Sequence, residues 1–341
     1  MNNISAVILA AGEGTRMKSK RAKVLHQING QPMLTHLLNT LSSMQLEHQV
    51  VVLGYKKESV AEILPAGVAW VEQAQRLGTG HAVQQVYANN IELKDTVLVL
   101  CGDIPLLSAK TLEQLIETHQ RSGSGITILS AMMEDPFAYG RIVRSANGAV
   151  ERIVEEKDAT EQERQIKEIN SGIYCFEGQV LKECLSQLKP NNKQNEYYLT
   201  DVIDIARSSG GRVDAVIASD ACEITGINSL KDLAWASRFA NRKVIESWMD
   251  QGVTFLDPES VTVGSLVEIG RDAVIYPFVF LEGKTRIGAN CEVGPSVRIS
   301  DCQLGAGTKV QFAVLEHITL QADSCVVPFT HQSGGLADSD G

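Results

Sequence analysis

The sequence predicts an α/β protein in two parts: a sheet of buried, mostly parallel strands, then a parallel β-helix. Three observations carry this. Strand-like apolar runs alternate with helical patterns up to about residue 227. A six-residue hydrophobic period then runs without a break from Val263 to Ile299. Between them, from Asn228 to about Gly252, lies one long helical stretch. Buried strands alternating with helices indicate an α/β layer architecture, and a hexapeptide period indicates short strands stacked coil on coil.

In the first part the strand-like runs are Ala6–Leu9, Val50–Leu53, Val97–Leu100 and Ile126–Ala131. Leu34, Leu37, Leu38 and Leu41 recur at helical spacing between them, as do Leu112, Leu115 and Ile116. Later runs at Ile142–Val143, Ile153–Val154, Ile173–Phe176 and Val213–Ile217 add strands, some of them antiparallel. Ligands on such sheets gather at the carboxyl ends of strands. Gly12, Asp103 and the loop after Leu53 are all expected there. The helix after Asn228 carries an apolar stripe through Leu230, Leu233, Ser237, Ala240, Val244 and Trp248.

In the second part Val263, Ile269, Ile275, Leu281, Ile287, Val293 and Ile299 sit six apart. Two positions before each lie Val261, Val267, Ala273, Val279, Thr285, Cys291 and Val297, all small or β-branched. A generic β-sandwich would show period two with irregular turns instead. The register slips by one at Leu304 and fades after Val310, and residues 331–341 read as a disordered tail. The expected boundaries are therefore 1–227, a helical arm at 228–251, a short β-helix at 252–330, and the tail.

Composition narrows the partners. The chain has 341 residues, 44% of them hydrophobic, and a formal net charge of −10. No basic block is interleaved with aromatics, so nucleic acid is not an expected partner. An acidic chain that binds anions must do so through local cations and metal ions. Seven cysteines without a C-x-x-C indicate neither a disulfide framework nor a zinc site, and suggest reduced thiols in the cytoplasm. No apolar run reaches membrane-spanning length.

The chemistry starts at Leu9-Ala-Ala-Gly-Glu-Gly-Thr-Arg-Met17, followed by Lys23-Val-Leu-His26. A strand breaks at Gly12 and Gly14, where consecutive backbone N–H groups can cradle an anion. Arg16 and Lys23 then supply charge for a polyphosphate. A dinucleotide fingerprint is excluded because Met17 stands at its third glycine, and the P-loop spacing is absent. The remaining simple reading is a β-turn with scattered surface charges, and Lys18, Lys20 and Arg21 are expected to be such bystanders. Asp103, at the end of Val97–Leu100 after Cys101 and Gly102, suits a Mg²⁺ ligand close to phosphates; on its own a turn or N-cap carboxylate before Pro105 is the more common role for such a residue, and the neighbouring motifs reverse that.

These segments resemble the bacterial bifunctional N-acetylglucosamine-1-phosphate uridylyltransferase/glucosamine-1-phosphate acetyltransferase family. The resemblance rests on the two motifs above, on Gln73 with Leu77-Gly-Thr-Gly-His81, and on Gly102-Asp103. It extends through Tyr139-Gly-Arg-Ile142, Val154-Glu155 with Lys157-Asp-Ala159, Ile169-Asn170, Glu196-Tyr-Tyr198 and Gly226-Ile-Asn228. It implies a doubly wound, Rossmann-like nucleotidyltransferase domain, a helical arm and a left-handed β-helix that assembles as a homotrimer. It implies transfer of uridylate from UTP to N-acetylglucosamine 1-phosphate with Mg²⁺, giving UDP-N-acetylglucosamine for peptidoglycan supply. Arg16 and Lys23 would be catalytic, with Asp103 and Asn228 as metal ligands. Leu9, Ala10, Ala11, Gly12, Gln73, Gly78, Thr79, Cys101 and Gly102 would line the nucleotide site. Gly140, Glu155 and Asn170 would hold the sugar. The family's acetyl-transfer site lies on later coils than this sequence contains, so no acetyltransferase activity is expected. Departures are Cys101, Ala22 and Ser171, where the family usually has Tyr, Pro and Thr. Two other readings keep the scaffold: transfer to another sugar 1-phosphate, and a catalytically silent regulatory homologue.

Overall fold

Nine segments rich in Val, Ile and Leu form the first sheet: β1 (Ile4–Ala10), β2 (His48–Leu53), β3 (Ala69–Glu72), β4 (Thr96–Cys101), β5 (Ile126–Met132), β6 (Gly140–Arg144), β7 (Val150–Val154), β8 (Glu168–Glu177) and β9 (Val213–Ile217). The computed structural model describes residues 3–334. The order across the sheet is β9-β5-β8-β4-β1-β2-β3, with β6 on β8 and β7 on β6. Within the main path β8 alone runs antiparallel to its neighbours. β3 escapes the sequence pattern because two of its four residues, Ala69 and Trp70, are exposed.

Alternate residues of β1 feed two different cores, which is why every residue of the strand but Ser5 is apolar. Ala6 and Ile8 pack with the helices α1 (Met33–Ser43) and, farther along the chain, Ala109–Ser122. Val7 packs on the other face with α2 (Thr79–Ala88), and that core also takes in Gly178–Gln187 and Asp201–Ser208. Taking α3 as Ala109–Ser122, α4 as Gly178–Gln187 and α5 as Asp201–Ser208, the sheet is covered on both faces by helices.

The chain divides into two compact units. One takes in the residues up to His26 and Pro32–Asp232; the other takes in Gln27–Gln31 and Leu233 onward. The boundary thus falls inside α6 (Leu230–Asp250), five residues later than the sequence suggested. Most of α6 is not an independent arm. Asn241 donates to Val261 O at 2.7 Å and accepts from Val263 N at 2.8 Å. Ile245 is buried in the β-helix core, with Val244 and Trp248 against it. The expected stripe holds at Val244 and Trp248 but not at its start: Leu230 is exposed, and the fully buried positions are Ala236 and Ile245, which flank it.

The second unit has three parallel sheets of two- to four-residue strands. All fourteen positions of the hexapeptide pattern are buried. Ile275 pairs with Val293, eighteen residues on, as three six-residue repeats per coil require. Ile287 pairs with Leu304 and Ile299 with Leu315, at seventeen and sixteen. The slip at Leu304 is therefore real, but the coil does not end at Val310. Corners lose a residue while the sheets continue through Ala313–Glu316 and Thr319–Leu320. His331–Ser333, expected in a disordered tail, forms a strand on Val314–Glu316. The rest of that expected tail, residues 335–341, lies outside the described residues.

Candidate active site

The glycine turn follows β1 and the Gly102-Asp103 pair follows the parallel β4, so both open at the carboxyl end of the sheet. A cleft of about 280 Å³ forms there. Of the expected nucleotide-site residues, Leu9, Ala10, Ala11, Gly12, Gln73, Gly78, Thr79 and Cys101 line it, together with Lys23 and Asp103. The loop after Leu53 lies at the same end. Gly54 packs against Ala11, and none of that loop faces the cleft.

Lys23 is the hub. Its ammonium donates to Asp103 Oδ2 and, at 2.6 Å, to Asn228 Oδ1. Arg16 Nη2 donates to the same Asn228 oxygen at 2.8 Å. Arg16 and Asn228 do not line the cleft, but these bonds join them to it. Two separate segments deliver the oxygens. Asp103 O accepts from Ile227 N at 2.9 Å, which fixes the Asn228 loop beside the Asp103 loop. Glu223, which sequence reasoning missed, braces the same junction. Its buried carboxylate accepts from Ser108 N, Ser108 Oγ and Thr111 Oγ1. Only its spacing before Gly226-Ile-Asn228 could have drawn attention to it.

Gly102 lies under the cleft. Its N–H donates to Leu9 O at 2.9 Å, and a Cβ there would crowd Leu9, Ala10 and Val24. Burial pushes the Cys101 thiol up to about 12, helped by the carboxylates of Asp103 and Glu155. It stays protonated and is no nucleophile.

Gln73 is buried, and its amide is oriented by neighbours. Nε2 lies 2.9 Å from Gly78 O and 3.0 Å from His81 Nδ1. Burial lowers the His81 pKa, which favours the neutral ring, and its other nitrogen, Nε2, lies 3.0 Å from Gln85 Nε2. Gly78 O and His81 together aim Gln73, leaving the amide oxygen as the acceptor for a ligand. Gly78 has φ +111°, and a Cβ there would sit 2.5 Å from Tyr197 O. The backbone of Tyr197 thus demands this glycine independently of any base. Thr79 Oγ1 accepts from Leu199 N at 3.0 Å.

Gly140, Glu155 and Asn170 do meet one another. Gly140 and Asn170 are register partners of β6 and β8, and Glu155 follows the last residue of β7. A Cβ on Gly140 would lie 3.5 Å from both Asn170 Cβ and Glu155 Oε2. Asn170 Nδ2 donates to Tyr174 OH at 2.8 Å, and its Oδ1 accepts from Gly172 N. Burial raises the Glu155 pKa, partly offset by a hydrogen bond from Thr200. Behind this group the buried Arg141 pairs with Glu156 at 2.8 Å. Tyr139 OH accepts from Gly226 N at 3.3 Å, tying this pocket to the Asn228 loop.

The cleft also includes four residues given no role from sequence: the charged Arg76 and Glu196 and the apolar Val24 and Ala82. Lys18, Lys20 and Arg21 are exposed and outside it. Among the described residues no group of three or more His, Cys, Asp or Glu side chains is placed to hold a metal ion. Any metal here must take most of its ligands from elsewhere. Cys101, Cys175, Cys184, Cys291, Cys302 and Cys325 carry free thiols, and no described helix is long and apolar enough to cross a membrane.

A glycine turn, paired cations and a carboxylate at the carboxyl end of a doubly covered α/β sheet define a nucleotidyltransferase. Residues 6–168 match the family model of the MobA-like NTP transferase domain. The chain is 44% identical over 326 residues to the bifunctional protein GlmU of Geobacillus thermodenitrificans, covering 96% of this chain and 71% of that protein. The bifunctional protein GlmU of Heliobacterium modesticaldum is 44% identical over 335 residues, 98% of this chain and 73% of the relative. That of Carboxydothermus hydrogenoformans is 42% identical over 340 residues, 99% and 75%. The chain belongs to the GlmU family, whose members carry uridylyltransferase activity.

Proposed function

We propose that this enzyme joins UTP and N-acetylglucosamine 1-phosphate, giving UDP-N-acetylglucosamine and pyrophosphate. The observation that carries the reading is the Lys23 ammonium held between Asp103 Oδ2 and Asn228 Oδ1, with Arg16 on the same amide. A sugar phosphate oxygen forms a bond to the α-phosphorus of UTP. The α–β bridging P–O bond breaks, and pyrophosphate leaves with the electron pair. The nucleophile is already an anion, so no general base is needed. The work is positioning anions and stabilising charge.

Two hard oxygens converging on one cationic centre fit Mg²⁺, which favours few protein ligands plus phosphate and water. Asp103 and Asn228 are the residues that would hold it, and it would neutralise charge on the phosphates. Lys23 and Arg16 would contact the phosphates from the same side of the cleft. Gln73 Oε1 accepts from the uracil imide N–H. The Gly78 backbone and Thr79 complete the base pocket. Gly140, Glu155 and Asn170 receive the sugar hydroxyls and acetamido group.

Pyrophosphate release with UTP, measured over several sugar 1-phosphates with Mg²⁺ or with chelator, tests the reading. Release is expected with N-acetylglucosamine 1-phosphate and metal. Its absence from folded protein overturns the reading. The second activity in the relatives' name is assigned to no residue described here. We further propose a homotrimer through the β-helix. Phe278, Phe280 and Phe312 are exposed at 61%, 47% and 39%, and association would bury them. A monomer in sedimentation at micromolar concentration contradicts it.

A further inference from the structure

Arg76 stands on the base-side loop between Gln73 and Gly78, yet its guanidinium reaches the glycine turn. Its Nη1 lies 2.8 Å from Oε2 of Glu13, the residue between Gly12 and Gly14. Arg76 lines the cleft with Gly12, Lys23 and Asp103. The charged side chains lining that cleft are Lys23 and Arg76 against Asp103 and Glu196. They cancel, so the lining residues alone offer a triphosphate no surplus positive charge; Arg16, held by the neutral Asn228 amide beside them, is the cation left over. Cations must change partners when nucleotide enters.

Depth separates the two cations. Lys23 and Asp103 are 13% and 22% exposed, while Arg76 and Glu13 are 47% and 42% exposed. The deep pair sits where the reacting α-phosphorus belongs, and the shallow pair sits at the mouth. A half-exposed ion pair is worth little, so exchanging its carboxylate for phosphate is cheap. Guanidinium also suits phosphate oxygens, which it can grip with two parallel hydrogen bonds.

We propose that Arg76 is a third phosphate-binding cation, held by Glu13 in the resting enzyme and transferred to the β- and γ-phosphates of UTP. This rests on the uridylyltransferase reading above. It gives Glu13 an opposing role, as the carboxylate that UTP must displace.

Calorimetric titration of the full chain with UTP and with UMP tests it. Arg76→Ala should weaken UTP roughly ten- to hundred-fold, the cost of one charge-assisted contact, and leave UMP within about twofold. Glu13→Ala should tighten UTP. The double variant should bind UTP more weakly than wild type, because the contact itself is lost. A double variant equal to wild type would mean that Arg76 only neutralises Glu13, and overturns the proposal. Equal weakening of UTP and UMP by Arg76→Ala also overturns it. Failure of the wild type to prefer uridine nucleotides would instead count against the proposed reaction. The triphosphate-to-monophosphate contrast would still report on Arg76 with whichever base binds.

Discussion

Gly12 in the α/β unit and the corner glycines of the β-helix serve opposite ends. In the α/β unit a Cβ built on Gly12 meets nothing within 4 Å, because the residue borders the cleft. In the β-helix a Cβ on Gly270, Gly288 or Gly305 would lie 2.5, 2.6 or 2.4 Å from the backbone N of the next coil. Gly12 leaves access for a ligand; the corner glycines allow stacking, as Gly78 allows the close approach of Tyr197. Charges divide in the same way. In the cleft, Lys23 ties Asp103 to Asn228 in an arrangement that a bound substrate would rearrange. On the β-helix, Arg286 pairs with Glu268 and Lys309 with Glu292, on the exposed outside of successive coils.

The sharpest way to break this comparison is to remove the hub cation. Lys23→Ala should cost about 10²–10³ in turnover, the usual loss for one preorganised stabiliser of charge. Lys18→Ala, a few residues away and outside the cleft, should change little in steady-state assays. Equal losses at the two lysines would mean that the chemistry lies elsewhere. The next largest effect exchanges the two kinds of glycine. Gly288→Ala should destabilise by about 1–3 kcal/mol through overpacking against Ala306, with the rate per folded enzyme preserved. Gly12→Ala should melt like wild type and raise the KM for UTP. Thermal melts and kinetics on the same preparations decide it. A Gly12→Ala enzyme that melts low with normal kinetics would erase the distinction.

What the sequence displayed, and what it hid, follow from the same division. Strands β1, β2, β4 and β5 were legible because each is buried on both faces and therefore carries a run of mainly apolar residues. The β-helix was legible while its coils held eighteen residues. It faded where corners shortened, because the period failed while Leu315 and Ile318 stayed buried. The cleft residues were read through their motifs. Glu223, Arg76 and the aiming of Gln73 by His81 were not, because each depends on a partner distant in the chain or on a side-chain direction. Gly78 could be picked out, but not the reason for it. Its collision partner, Tyr197, lies far along the sequence.

The smallest effect sharpens the contrast in charge. Asp201 opens α5 in a half-buried setting, where burial and the neighbouring carboxylates Asp204 and Asp158 push it up to about 6. Its ordinary value is 3.8. Between about pH 4 and 6 the unfolded chain has released this proton while the folded chain still holds it, so folding stability falls as pH rises through that window. Above it the penalty is fully in place. Asp201→Asn removes the charge and keeps the shape. It should stabilise the protein by about 1 kcal/mol at pH 7, a figure discounted for partial exposure. It should give no gain below about pH 4, where the native carboxyl is already protonated in both states. Urea denaturation at the two pH values reads this directly. The matching change on the β-helix, Glu292→Gln, removes a partner of an exposed pair and should leave stability nearly flat across the same range. A gain from Asp201→Asn that is the same at both pH values would show that packing at the start of α5, and not the carboxylate charge, sets its cost.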